Sequence, residues 1–174
     1  GPFEGGSTAK IAARLANAFA ERGYPTDLLL TASRDPIPEP TAPGVRVVPM
    51  GAMTALIRVP AMALYLRRRR PTAVLTHRIR EDLFTLKAAR LAGTGTPVFV
   101  TVHGPLGVKL DHLPGAKGQR RRAEVLRWYP RNRGILAISE ETAADLRTLL
   151  GPEAPVAVIP NPIVTPQMIE AAQA

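Results

Sequence analysis

The sequence reads as an α/β domain, a doubly wound and mainly parallel sheet with helices on both faces. Short β-branched runs alternate with amphipathic stretches along almost the whole chain, the pattern of strands joined by helical crossovers. The run Pro97-Val98-Phe99-Val100-Thr101-Val102, β-branched and aromatic, reads as a strand apolar on both faces, as in one buried within a parallel sheet. With 45% apolar residues in a chain of 174, there is enough for one compact domain over residues 1–174.

The chain opens in a glycine loop, Gly1-Pro2-Phe3-Glu4-Gly5-Gly6, followed by Ser7 as an N-cap and a helix from Ala9 to Arg22. Ile11, Leu15, Ala18 and Phe19 give that helix an apolar face, and Gly23 closes it. Thr26 to Thr31 is a strand, Asp35 to Pro43 a proline-rich bend, and Val45 to Val48 a second strand. Thr54 to Arg70 is a helix that Pro60 should kink or divide, ending in four arginines and stopped by Pro71. A strand from Ala73 to Thr76 leads into His77, then a helix from Glu81 to Leu91, then the central strand, closed by His103 and Gly104. Pro105 to Gly118 reads as a loop with short helical turns, because it is rich in glycine and proline, and a basic helix follows from Gln119 to Tyr129. Gly134 to Ile138 is a strand, Ser139 caps a helix from Glu140 to Leu150, Pro155 to Ile159 is the last strand, and Pro166 to Ala172 a short helix. A doubly wound sheet places a strand ahead of its glycine loop, and here only four residues precede it, so the first strand is expected to be missing from this sequence.

Composition narrows the chemistry. The absence of cysteine excludes disulfides, thiolate nucleophiles and cysteine-bound metals, and fits a cytoplasmic protein. No apolar run reaches the ~18 residues of a membrane-spanning helix. A formal charge of +9 favours anionic partners: nucleic acid, sugar nucleotides or acidic lipid. Arg120, Arg121, Arg122 and Arg127 lie close to Trp128, a combination suited to a helix resting on an anionic membrane surface, although such runs are commonly plain solvated faces. No helix-turn-helix, zinc or RNA-binding signature supports nucleic acid.

Ligands of open parallel sheets bind beyond the carboxyl ends of strands, which singles out the residues found there. His103 ends the central strand, where an imidazole serves as donor, base or positioning group; a hydrogen-bonded structural histidine is the competing assignment. His77 ends the preceding strand. No metal site is expected, since His77, His103 and His112 lack ligand spacing and no carboxylates accompany them. Ser139 is first a helix cap and second a ligand contact, and it sits in no G-x-S-x-G elbow. Gly5 and Gly6 would let backbone amides face an anion, or form a mere turn; no G-x-G-x-x-G or G-x-x-x-x-G-K-[ST] is present.

Together, Gly5-Gly6 before a helix, Thr101-Val102-His103-Gly104, Ile135-Leu136-Ala137-Ile138-Ser139-Glu140-Glu141 and Val158-Ile159-Pro160-Asn161-Pro162-Ile163 resemble the N-terminal half of a glycosyltransferase of family 4 with the GT-B fold. The resemblance implies a Rossmann-like, acceptor-side domain of a retaining, hexosyltransferase-type enzyme that takes its sugar from a nucleotide-sugar substrate and needs no cofactor. It implies that Gly5 and Gly6 lie beside donor phosphates and sugar, that His103 contacts the transferring sugar, that His77 and Ser139 face the acceptor, and that Asn161 leads to the hinge. The partners implied are a nucleotide sugar, a cell-surface glycan or glycolipid acceptor, and a C-terminal donor-binding domain, with the protein peripheral on the inner face of the cell membrane and active in polysaccharide biosynthesis. That second domain carries a Glu-x7-Glu pattern in the family, and no two glutamates here have that separation. Without its groups to stabilise the leaving diphosphate, the chain alone is expected to transfer no sugar at a useful rate. The rival readings are a nucleotide- or phosphate-binding Rossmann-like module without catalysis, and a basic nucleic-acid-binding domain.

Overall fold

The computed structural model describes residues 7–31, 41–50 and 54–161. Gly5, Gly6, the first part of the bend and the helix expected over Pro166 to Ala172 lie outside the described residues. The chain divides into two compact units, residues 1–28, 34–48 and 160–174 in one and residues 29–33 and 49–159 in the other.

The first unit holds helix α1 (Ser7–Glu21) and most of strands β1 (Thr26–Leu30) and β2 (Val45–Pro49), which pair as a two-stranded sheet. Ser7 is the first helical residue rather than the residue before the helix. Ile11, Ala13 and Ala16 are the buried positions of α1, while Phe19, expected on the apolar face, is exposed and stands edge-on to Tyr24. The helix ends as its glycine foretold. Gly23 adopts φ +82°, its N–H bonds Ala20 O at 2.9 Å and the Tyr24 N–H bonds Phe19 O at 3.0 Å, so that two terminal carbonyls are satisfied. Asn17 accepts from Ala42 N at 2.8 Å, tying the approach to β2 onto α1.

The second unit is a parallel sheet flanked by helices, as the alternation of elements requires. Strands β3 (Val74–Thr76), β4 (Val98–Val102), β5 (Gly134–Ala137) and β6 (Val156–Val158) lie side by side in that order, all parallel. Val98, Val100 and Val102 of β4 and Ile135 and Ala137 of β5 form one face of a core completed by α3 (Ile79–Ala92), α4 (Leu106–Asp111), α5 (Gly115–Trp128) and α6 (Glu140–Leu150). A second cluster joins Met62, Ala63 and Leu66 of α2 (Ala55–Arg69) to Phe84, Ala88 and Ala92 of α3.

Two local expectations are corrected. Helix α2 runs unbroken through Pro60, whose ring is exposed; only the amide that would have bonded Leu56 is lost. The stretch Pro105 to Gly118 is not a loop but helix α4 and the start of α5. Gly118 marks close packing there, since a Cβ would lie 2.2 Å from Leu113 O. The start of α4 is held by Asp145 of α6, whose carboxylate accepts from Gly107 N at 2.8 Å and Val108 N at 3.3 Å. Such a tertiary cap has no local signature.

Candidate functional site

Strand register assembles the site. Thr76 pairs with Val100, so continuing the ladder sets His77 level with Thr101, two residues short of His103. Side chains two apart on a strand share a face, so the imidazoles of adjacent strands stand on the same side. His77 Nδ1 and His103 Nε2 are 3.3 Å apart, with ring centroids at 5.5 Å and planes inclined by 32°. One ring must donate and the other accept, which fixes opposite tautomeric roles for the pair. Gly104 then turns the chain at φ +153°, a conformation that favours glycine.

Burial keeps both imidazoles neutral. His77 is pushed down to about 4, first by burial and then by the charge of His103; burial likewise lowers His103. At neutral pH the carboxyl edge of β3 and β4 therefore presents two uncharged imidazoles.

Ser139 stands beyond the adjacent strand β5 and caps α6 as expected. Its Oγ accepts from Thr142 N at 3.2 Å and lies 3.1 Å from Thr142 Oγ1. Ser139→Ala should cost about 1 kcal/mol, read as a lowered urea midpoint with an unchanged slope. Asn161 is described as half-buried beyond β6, in the other compact unit.

Two acidic residues in the first turn of α3 were not singled out from the sequence. Glu81 accepts from Thr31 Oγ1 at 3.2 Å and from Arg80, and its Oε2 is buried with no hydrogen-bond partner among the described residues. Asp82 is 1% exposed and accepts from the Tyr129 hydroxyl at 2.7 Å; Tyr129 itself is wholly buried. Burial raises the Asp82 carboxyl to about 7, against the opposing pull of its hydrogen bonds. Both acids sit in the first turn of α3, where sequence alone suggests no more than a favourable dipole.

The basic stretch of α5 is largely engaged within the fold. Arg122 pairs with Asp111 at 2.6 Å, and Glu124 with Lys87 of α3 at 2.6 Å. Trp128 is half-buried against the core, with Lys87, Arg127 and Arg131 standing 5.9, 5.7 and 5.3 Å from its ring centroid. Arg120 and Arg121 belong to the same helix, Arg120 exposed and Arg121 half-buried. Among the described residues no three His, Asp or Glu side chains gather as metal ligands, and no helix is long and apolar enough to cross a membrane. A depression of about 680 Å³ lined by Arg67, Arg70, Gly93, Thr94 and Pro97 lies by the start of β4, at the opposite end of the strand from His103.

No curated protein matches the sequence. The fold is similar to the crystal structure of Anabaena Alr3699/HepE in complex with UDP, with a TM-score of 0.64 at 13% identity. That match covers 97% of this chain and 46% of the other, so the chain spans less than half of that protein's length. The model of Glycosyltransferase Family 4 matches residues 8–166, nearly the whole chain including both histidines and the Ser139 cap, and the chain therefore belongs to glycosyltransferase family 4.

Proposed function

We propose that this chain is the acceptor-binding half of a retaining, hexosyltransferase-type enzyme that moves a sugar from a nucleotide-sugar donor to a cell-surface glycan or glycolipid. The observation that carries the reading is the neutral imidazole pair at the carboxyl edge of adjacent parallel strands. Glycosyl transfer passes through a transition state in which the sugar carries positive charge. An imidazolium beside that sugar would oppose the charge, whereas a neutral ring donates or accepts a hydrogen bond without electrostatic penalty. His103, the less buried of the two, is the group set to touch the transferring sugar, with His77 fixing its ring and Ser139 on the acceptor side. The UDP held by the structurally similar HepE supports a nucleotide-linked donor. The donor's diphosphate falls to a second domain, with Gly5 and Gly6 alongside it and Asn161 leading toward the hinge.

The test is turnover of nucleotide sugars by the purified chain and by a two-domain enzyme that contains it. The two-domain enzyme should form glycoside product and the chain alone should not. Comparable turnover by the chain alone would remove the need for a donor half, and an inert two-domain enzyme would sink the reading.

A further inference from the structure

Helix α2 shows an apolar face that no described element covers. Leu56 is 87% exposed, Ile57 57% and Leu64 47%, and Pro60 between them is exposed as well. Leu56, Pro60 and Leu64 follow one another at four-residue steps, so they form a single stripe along the helix. The stripe runs into Arg67, Arg68, Arg69 and Arg70, all exposed, and α2 contains no acidic residue. The opposite side of the helix is fully used: Met62, Ala63 and Leu66 are buried against α3, and Arg58 lies over the Phe84 ring at 5.5 Å.

The direction of α2 is fixed by Arg67. Its guanidinium donates to the last carbonyls of α3, Leu91 O and Ala92 O, at 2.9 Å each. The C-terminal ends of α2 and α3 therefore lie together, and the Leu56 end of α2 lies toward the start of α3, which follows directly on His77 and Arg78. The apolar end of the stripe is thus at the histidine edge of the sheet and the arginines at the other.

We infer that the outer face of α2 is a docking surface for an anionic lipid bilayer, with Leu56, Ile57 and Leu64 entering the acyl boundary and Arg68 and Arg70 meeting negative headgroups. The charge pattern selects this occupant: a second copy would bring four arginines and no acid against the same, while an acidic bilayer offers apolar depth and negative charge together. The basic stretch of α5 is the weaker lipid surface, because its tryptophan is half-buried beneath cations. Such docking would hold the histidine edge of the sheet at the membrane where a lipid-linked acceptor resides; the docking itself does not depend on sugar transfer.

The experiment is co-sedimentation of the chain with vesicles of phosphatidylcholine alone and of phosphatidylcholine mixed with phosphatidylglycerol, at low and high salt. Wild type should bind the anionic vesicles, release in high salt, and ignore the neutral ones. The triple variant Leu56→Ser, Ile57→Ser, Leu64→Ser should lose about tenfold or more of that affinity, as should Arg68→Glu with Arg70→Glu, both with unchanged far-ultraviolet circular dichroism. Arg120→Glu with Arg121→Glu should bind nearly as wild type. Wild-type binding by the α2 triple variant, loss of binding confined to the α5 variant, or dimers in sedimentation equilibrium that the triple variant abolishes without any vesicle binding would each overturn the inference.

Discussion

His103→Ala, placed in a two-domain enzyme containing this domain, should lower kcat/KM by about a hundredfold or more while the protein stays folded. The stability cost is modest because the ring is half-buried and its hydrogen bond to His77 is long, 3.3 Å, worth about 1 kcal/mol. The kinetic cost is large because a group beside the reacting sugar acts mainly in the transition state. His103→Gln separates the two roles: an amide reaching the Nε2 position keeps the bond to His77 but lacks the aromatic ring and its second nitrogen. If His103 merely braces His77, the glutamine variant should restore activity. If it touches the sugar, the melting temperature should recover and kcat should not. Burial also sets the pH response, since it holds His103 below its ordinary value of 6.5, so the acid limb of the rate should lie below pH 6.5. Initial rates across pH with a nucleotide-sugar donor check both points, and an alanine variant within a few-fold of wild type would remove His103 from the chemistry.

What could be read from the sequence divides along a physical line. The strands and their terminal residues were legible, because β-branched runs bounded by glycine and proline are local signals: β4, β5 and the Ser139 cap fall within a residue of expectation. That His77 and His103 end successive strands was also legible. Their contact was not, because it depends on β3 and β4 being neighbours in a given register. The helices over Leu106–Asp111 and Gly115–Gln119 were missed for a related reason. Their glycines and prolines look like breakers in one dimension, yet Gly107 and Gly118 are close approaches to Asp145 and Leu113, and a side-chain cap from α6 starts α4. Pro60 misled in the same way, since an exposed proline early in a helix sacrifices one bond that burial of the opposite face outweighs. Trp128 looked like an interfacial aromatic by composition; its half-buried setting among Lys87, Arg127 and Arg131 is tertiary. The apolar stripe of α2 is the converse case, a periodic helix face that the fold leaves open.

Asp82→Asn should turn a nearly level acid stability profile into a steep one. In the native protein His77 takes up its proton only near pH 4, whereas an unfolded chain does so near 6.5. Between those values the unfolded state binds more protons, so this term lowers stability as pH falls from 6.5 to 4, by on the order of 3 kcal/mol. The lowered His103 adds in the same direction. Asp82 acts oppositely: its native carboxyl holds a proton up to about pH 7 and the unfolded one only to about 3.8. Over that window the native state binds more protons, and stability rises on acidification by an amount on the order of 4 kcal/mol. The two terms overlap almost completely and offset each other in the wild type. Asparagine does not titrate and still accepts from the Tyr129 hydroxyl, so the variant loses the Asp82 term while keeping the buried contact. Urea unfolding at intervals from pH 4 to pH 7.5 should then show wild-type midpoints that scarcely move and variant midpoints that fall steadily below pH 6.5. The variant should also be the more stable protein above pH 7, where the wild type must bury an ionised carboxylate beside Glu81. A wild-type profile as steep as that of the variant would mean that Asp82 is already ionised in the native state, and a variant profile as level as that of the wild type would mean that His77 does not resist protonation in the fold.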